Sequence, residues 1–208
     1  MAQTPDRASM TAVFTGKYEG DKSDWGKHSG GGSNAHYTIE YRAFLENFIR
    51  LNQVRSIVDI GCGDWQFSRF LNLDGIHYRG FDLVESVIEQ NSKRFETAHI
   101  EFAIMPEDYA ALPGADLLII KDVLQHLPNA QVLRFYSDVF PKYRACLITN
   151  SFRKLNTRAN VDIRPGEFRC LDLKAAPYHF DGAYVFQFSS PLWEEIRTLL
   201  HMPRSQAE

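Results

Sequence analysis

Between Ser56 and Asn150, five short apolar runs alternate with segments of helical spacing. This alternation constrains the fold more than any other feature of the chain. Parallel strands need crossover helices, and the helices bury both faces of the strands they connect. The runs are SIVDI from Ser56, HYRGFD ending at Asp82, HIEFAIM from His99, ADLLIIKD ending at Asp122 and RACLITN ending at Asn150. Helical segments are expected over Phe67 to Leu71, over Val84 to Phe95 with Val87, Ile88 and Asn91 in register, and over Gln131 to Tyr143. The pattern predicts an α/β fold with a mostly parallel sheet, covered on both faces and wound through right-handed crossovers.

Upstream, Ile39, Tyr41, Phe44, Leu45, Phe48, Ile49 and Leu51 trace a helical stripe. Thr38 is placed to cap it, with Tyr41 where a capping box would carry Glu. The first 37 residues are polar and end in GKHSGGGSNAHY. Consecutive glycines disfavour helix and strand alike. Residues 1–37 therefore read as an arm or lid, or else as a disordered tail, preceding a domain over 38–208. Downstream, SFRKLNTRANVDIRPG after Asn150 reads as a polar loop. FRCLDL and AYVFQFS read as two final strands, PLWEEIRTLL as a short closing helix, and MPRSQAE as a frayed end.

Apolar residues make up 44% of the chain and charged residues 24%, ordinary values for a globular protein. The formal charge of −3 gives no footprint for general nucleic-acid binding. Arg153, Lys154, Arg158, Arg164 and Arg169 form a local basic cluster in sequence. Cys62, Cys146 and Cys170 include no CxxC pair, so buried free thiols are expected rather than a disulfide framework or zinc site. No run approaches the ~18 apolar residues of a membrane span. The N-terminus lacks a signal-peptide pattern. A reducing cytoplasm is the expected compartment.

The string VDIGCGDW, Val58 to Trp65, carries the most chemistry. A strand runs directly into Gly61 and Gly63, which permit a sharp turn and close backbone approach by a ligand. A helix is expected next, whose N–H groups would suit an anionic ligand group. Asp82 closes the following strand, 21 positions after Gly61. An acid at about that distance can accept hydrogen bonds from ribose hydroxyls. The dinucleotide fingerprint GxGxxG would need glycine where this chain has Gln66, which disfavours a nicotinamide oxidoreductase.

Asp59, Gly61, Gly63 and Asp82, with KDVLQHL from Lys121 to Leu127, resemble the motifs of class I S-adenosylmethionine-dependent methyltransferases. The resemblance covers roughly Ser56 to Asn150. It implies a Rossmann-like, doubly wound sheet of about seven strands ending in a C-terminal antiparallel hairpin, which FRCLDL and AYVFQFS would supply. It also implies S-adenosylmethionine as cofactor, with Gly61 and Gly63 facing its methionine part. Asp82 would take the ribose, Leu83 would lie beside the adenine, and Asp122 and Val123 would lie near the methionine and reacting methyl. Trp65 stands where a third glycine is common and counts among the cofactor contacts together with Asp59. The acid often found after strand three falls about at Pro106, with Glu107 or Asp108 as substitutes.

Methyl transfer to oxygen usually needs a base, and histidine is the commonest choice. His126 follows Asp122 by four residues. On a helix that spacing would put both on one face, where the carboxylate could orient the imidazole. A histidine there could equally pin a loop. On the arm, Tyr18, Trp25 and His28 could close over a cofactor, and Tyr18 is counted as a catalytic candidate. Arg153, Asn156, Arg158, Asn160 and Arg164 suit the polar loop to an anionic or polar acceptor, or to a solvated connection. His28 and His36 have no cysteine partners, and no metal is expected. Neither a GxSxG elbow nor a P-loop is present.

The expected function is transfer of a methyl group to a small polar metabolite, with O-methylation the expected chemistry, without nucleic-acid or membrane partners. Protein or RNA methylation remains an alternative, as does a non-catalytic S-adenosylmethionine-binding partner or sensor.

Overall fold

In the computed structural model, residues 7–20, 25–26, 28–153, 159–189 and 195–203 are described, residue 153 by its backbone alone. Lys154, Asn156, Arg158, the start of the expected closing helix at 191–194 and the end of the chain at 204–208 lie outside the described residues. The chain divides into two compact units, Asp6–Met105 and Pro106–Glu208.

The first unit opens with α1 (Arg7–Glu19) and α2 (Ile39–Leu51). In α2 the stripe buries Tyr41, Leu45 and Ile49, four residues apart, while Ile39 and Leu51 at its ends stay exposed. Thr38 is the N-cap residue, but its hydroxyl donates backwards to the carbonyls of Asn34 and Ala35 at 3.0 and 3.3 Å. It therefore caps nothing. The unit continues with β1 (Ser56–Ile60), β2 (His77–Asp82), α3 (Glu85–Phe95) and β3 (Ile100–Ile104). Val87, Ile88 and Asn91 are the buried face of α3, as their spacing predicts. Strands β1 and β2 pair in parallel from Ser56↔His77 to Ile60↔Phe81, and β2 pairs with β3 from Tyr78↔Ile100 to Asp82↔Ile104.

The second unit holds β4 (Ala115–Lys121), α4 (Asn129–Arg134), β5 (Tyr143–Arg153), β6 (Ala183–Ser189) and β7 (Glu195–His201). Leu117 to Ile120 are almost completely buried, as expected of a parallel strand covered on both faces. The sheet has seven strands in the order β3-β2-β1-β4-β5-β7-β6. β4 and β5 are parallel, whereas β7 runs antiparallel to both β5 and β6. The mostly parallel sheet with an antiparallel C-terminal hairpin is thus present, with AYVFQFS as expected in one hairpin strand but a different segment in the other.

FRCLDL is not a strand. Its backbone N–H groups are spent singly on separate elements, Arg169 N–H on Gln125 O in the turn after β4 and Leu171 N–H on Ser151 O in β5, so no ladder forms. The expected closing helix is replaced from Glu195 by β7. Ile196 and Thr198, two apart, point into the core, and the Thr198 hydroxyl meets that of Thr149 at 2.9 Å. Period two and β-branching favour the strand. The helix expected over Gln131 to Tyr143 starts earlier and changes pitch. After α4 come a widened π-type turn, Phe135–Val139, and a tight turn, Phe140–Lys142. Pro141 lacks the N–H that an α-helix would need there, and the wider turn buries both Val139 and Phe140.

All three cysteines are buried and none forms a disulfide. Among the described residues, no helix is long and apolar enough to cross a membrane.

Candidate functional site

The glycine turn follows β1 directly. Gly61 has φ 74° and Gly63 φ 55°, values that favour glycine. Every N–H from residue 61 to 65 has an acceptor within the protein. Gly61 and Cys62 donate to Phe81 O at 2.7 and 3.0 Å, Asp64 to Ser29 Oγ at 2.8 Å, and Trp65 to Cys62 O at 3.3 Å. Gly63 N–H goes to Asp82 Oδ2 at 3.0 Å. Asp82 Oδ1 accepts from Val84 N–H at 3.1 Å. Asn91, buried on α3, donates to Gly63 O at 2.7 Å. The turn is therefore held from β2, α3 and the N-terminal segment together.

The α-helix expected after this turn is absent. A single 3-10 turn, Ser68–Phe70, takes its place. Leu71 and Leu73 are both buried, an extended rather than helical spacing, and Trp65 enters the segment at φ 57°. Trp65 keeps a left-handed conformation, like the two glycines. Its indole packs on Tyr78, Phe95 and Phe102, with ring centroids 5.1–5.6 Å apart. Asp59 is buried and accepts from the Tyr78 hydroxyl at 2.6 Å. Both side chains support the turn from the core side.

Burial raises the Asp82 carboxyl above its ordinary range, against the pull of the Val84, Gly63 and Leu83 N–H groups. These three backbone donors leave part of the carboxylate's roughly four acceptor sites unused. The carboxylate thus keeps acceptor capacity for a diol.

The N-terminal segment lies on the turn. Ser29 Oγ accepts from Asp64 N–H, donates to Asp64 Oδ1 and sits 3.0 Å from the Tyr18 hydroxyl. A Cβ on Gly63 would stand 2.0 Å from Ser29 Oγ and 2.9 Å from the Tyr18 hydroxyl. Tyr18 meets Trp25 edge-on at 5.7 Å, and His28 Nδ1 accepts from Gly30 N–H at 3.0 Å. Glu19 accepts from the Ser86 hydroxyl at 2.5 Å, at the start of α3. Burial, then the charge of Asp82, pushes the Tyr18 phenol well above its ordinary value. Tyr18 is therefore a hydroxyl at neutral pH and not a base. Ser29 and Asp64 escaped the sequence reading because no motif marks a serine inside a glycine run.

In the second unit, Asp122 follows β4 with φ 57°, and its N–H bonds Thr149 O at 2.8 Å. Its Oδ2 pairs with Lys121 Nζ, whose side chain is 2% exposed. Its Oδ1 is buried without a hydrogen-bond partner among the described residues, as is Asn150 Nδ2 at the end of the neighbouring strand. The segment Leu124–His126 is a 3-10 turn rather than an α-helix, so the four-residue face expected for Asp122 and His126 does not form. The His126 ring is oriented instead by the backbone, with Nδ1 at 3.0 Å from Glu167 O.

Of the loop residues expected to face an acceptor, Asn160 is buried. Both its amide donors are used, on Asp172 O and Ala176 O at 2.8 Å. Arg164 is exposed and Arg169 is buried, so these two do not form one basic patch.

No protein-family model matches the sequence, and no curated protein is significantly similar to it. Solved structures do match. The 1,6-didemethyltoxoflavin-N1-methyltransferase of Burkholderia thailandensis superposes with TM-score 0.67 at 15% identity, over 98% of this chain and 92% of that one. The magnesium protoporphyrin IX methyltransferase of Synechocystis PCC 6803 gives 0.58 at 14% identity, over 93% and 94%. Phosphoethanolamine N-methyltransferase 1 of Haemonchus contortus gives 0.60 at 19% identity, over 97% of this chain and 50% of that one.

The fold is that of the class I S-adenosylmethionine-dependent methyltransferases.

In this methyltransferase fold, the glycine turn and Asp82 lie at the carboxyl ends of β1 and β2, and Asp122 at that of β4. Ligands of open parallel sheets bind beyond these strand ends. Leu83 and Val123 follow the acids and are both half-buried. Asp59, expected among the cofactor contacts, bonds Tyr78 in the first unit's core, and Trp65, also expected there, packs its ring in the same core.

Proposed function

We propose that this chain is an S-adenosylmethionine-dependent methyltransferase acting on a small polar metabolite, with oxygen as the atom methylated. One observation carries the choice of cofactor within this fold. The five N–H groups of the glycine turn are already bonded inside the protein. A pyrophosphate would need them. A ligand with a ribose diol and no phosphate needs only the carboxylate of Asp82. The bound cofactor supplies an electrophilic methyl on a sulfonium.

The chain's own residues do the rest. Asp82 holds the ribose hydroxyls, with Leu83 beside the adenine. Gly61 and Gly63 leave room for the methionine part. Asp122 keeps one oxygen on Lys121 and turns the other, together with the backbone of Val123, to the cofactor's ammonium end. Residues 1–37 act as a lid, in which the Tyr18 hydroxyl donates a hydrogen bond and excludes water. His126 takes the acceptor's proton. A carbonyl can only accept, so the bond to Glu167 O puts the proton on Nδ1 and the basic lone pair on Nε2. Three buried thiols outside any disulfide suit the reducing cytoplasm.

Thermal unfolding with S-adenosylhomocysteine, and separately with NAD and NADP, tests the reading. At ~100 times its dissociation constant, S-adenosylhomocysteine should stabilise the fold by about 2.7 kcal/mol. No shift, or a larger one with a nicotinamide cofactor, would overturn it.

A further inference from the structure

Arg169 is only 3% exposed, yet among the described residues no carboxylate pairs with it. Its guanidinium is held by neutral groups. Nη1 donates to the carbonyls of Leu124 and Gln125 at 3.4 and 3.3 Å. Nη2 donates to Asn129 Oδ1 at 3.0 Å and to the Tyr178 hydroxyl at 2.8 Å, and that hydroxyl donates to Asn129 Oδ1 at 2.6 Å. Nε is buried with no acceptor among the described residues. A buried cation without a counter-charge is unfavourable. A chain under no other demand would place a neutral side chain here.

The carbonyls it gathers belong to the turn that carries His126. The same turn is tied twice more to the segment just before Arg169. Gly166 N–H bonds His126 O at 2.9 Å, and His126 Nδ1 bonds Glu167 O at 3.0 Å. Arg169 N–H closes the set on Gln125 O at 3.2 Å. On the other side, Gln125 is fixed to the end of β5, its Oε1 accepting from Ser151 N–H at 2.7 Å. Only a planar fork with several donors can draw in two successive carbonyls and a side-chain amide at once.

We propose that Arg169 is the positioning residue of His126. It locks Leu124–His126 and residues 166–169 into one block, so that the imidazole holds its proton on Nδ1 and its lone pair on Nε2. The proposal rests on the reading of His126 as the base.

The test reads the imidazole directly, by long-range nitrogen–proton NMR of His126 in the full chain. Wild type should show the single Nδ1–H tautomer. Arg169→Met should lose it and populate both tautomers, while Arg169→Lys should restore it in part. Affinity for S-adenosylhomocysteine should stay within about twofold. Should Arg169→Met fail to fold, Tyr178→Phe removes one guanidinium contact without stranding the charge, and should weaken the tautomer preference. A folded Arg169→Met, or failing that a folded Tyr178→Phe, with the wild-type tautomer unchanged would overturn the proposal. Failure of the methyltransferase reading would look different: wild type would not bind S-adenosylhomocysteine, whatever the tautomer of His126.

Discussion

At Gly63 a methyl group would land 2.0 Å from Ser29 Oγ, on a residue whose φ is 55°. Both facts oppose any side chain there. Gly63→Ala should cost about 1–3 kcal/mol in urea unfolding, from backbone strain plus the clash. Adding Ser29→Gly should recover the larger steric part and leave the strain together with the 2.9 Å approach to the Tyr18 hydroxyl. Full recovery would mean that the backbone conformation at 63 carries no penalty. Asp82 offers a pH test. Its carboxyl titrates above the ordinary aspartate range because burial disfavours the charge. The ionised form is the one that accepts the ribose hydroxyls. Affinity for S-adenosylhomocysteine should therefore be complete above the raised value and decline as pH falls through it, earlier than an ordinary aspartate would dictate. Asp82→Asn should flatten that dependence in calorimetric titrations. Asp82→Ala should weaken binding by about 10- to 100-fold, the worth of hydrogen bonds to a charged group. Unchanged affinity would remove Asp82 from the ribose role. His126→Ala should lower turnover and spare cofactor affinity, whereas wild-type turnover would return the histidine to a structural role, bonded to Glu167 O.

Strand β7 lies between β5 and β6, and Leu199 within it is fully buried. Leu199→Ala should destabilise the chain by about 2–5 kcal/mol, read as a lower denaturation midpoint with little change in slope. This is one of the elements that sequence patterns misassign. In EIRTLLH, Ile196, Leu199 and Leu200 match helical spacing, while Ile196 and Thr198 match a strand, and only the partner strand decides between them. Elements with one strong signal are legible instead. SIVDI, HYRGFD and AYVFQFS occupy the strands that their β-branched and aromatic runs predict, and α3 buries the three residues its period selects. Part of the candidate site is legible for the same reason, since positive φ at Gly61 and Gly63 is a local property of the residue. The Ser29 contact to Asp64 and the Arg169 fork join residues far apart in sequence, and no local pattern encodes such meetings. Trp65 stands where a glycine is common, adopts the left-handed conformation that glycine would favour, and packs its ring against Phe95.

Across the whole chain, Lys and Arg number 23 against 26 Asp and Glu, and the net charge is −3. An enzyme that grips a nucleic acid through several phosphates releases counterions as it binds. Its affinity then falls about 10³- to 10⁵-fold between 50 and 200 mM salt for 6–10 phosphate contacts. This chain has no surplus of positive charge from which to build such a grip. The two described members of its basic cluster diverge as well, with Arg164 exposed and Arg169 buried. A small polar acceptor held by a few directed hydrogen bonds carries no counterion term of that size. Once an acceptor is in hand, kcat/KM measured across the same salt range should change by less than about tenfold. A slope as steep as that of a phosphate-gripping protein would place the acceptor among nucleic acids. It would also direct attention to basic side chains outside the described residues, Lys154 and Arg158, as the groups that hold it.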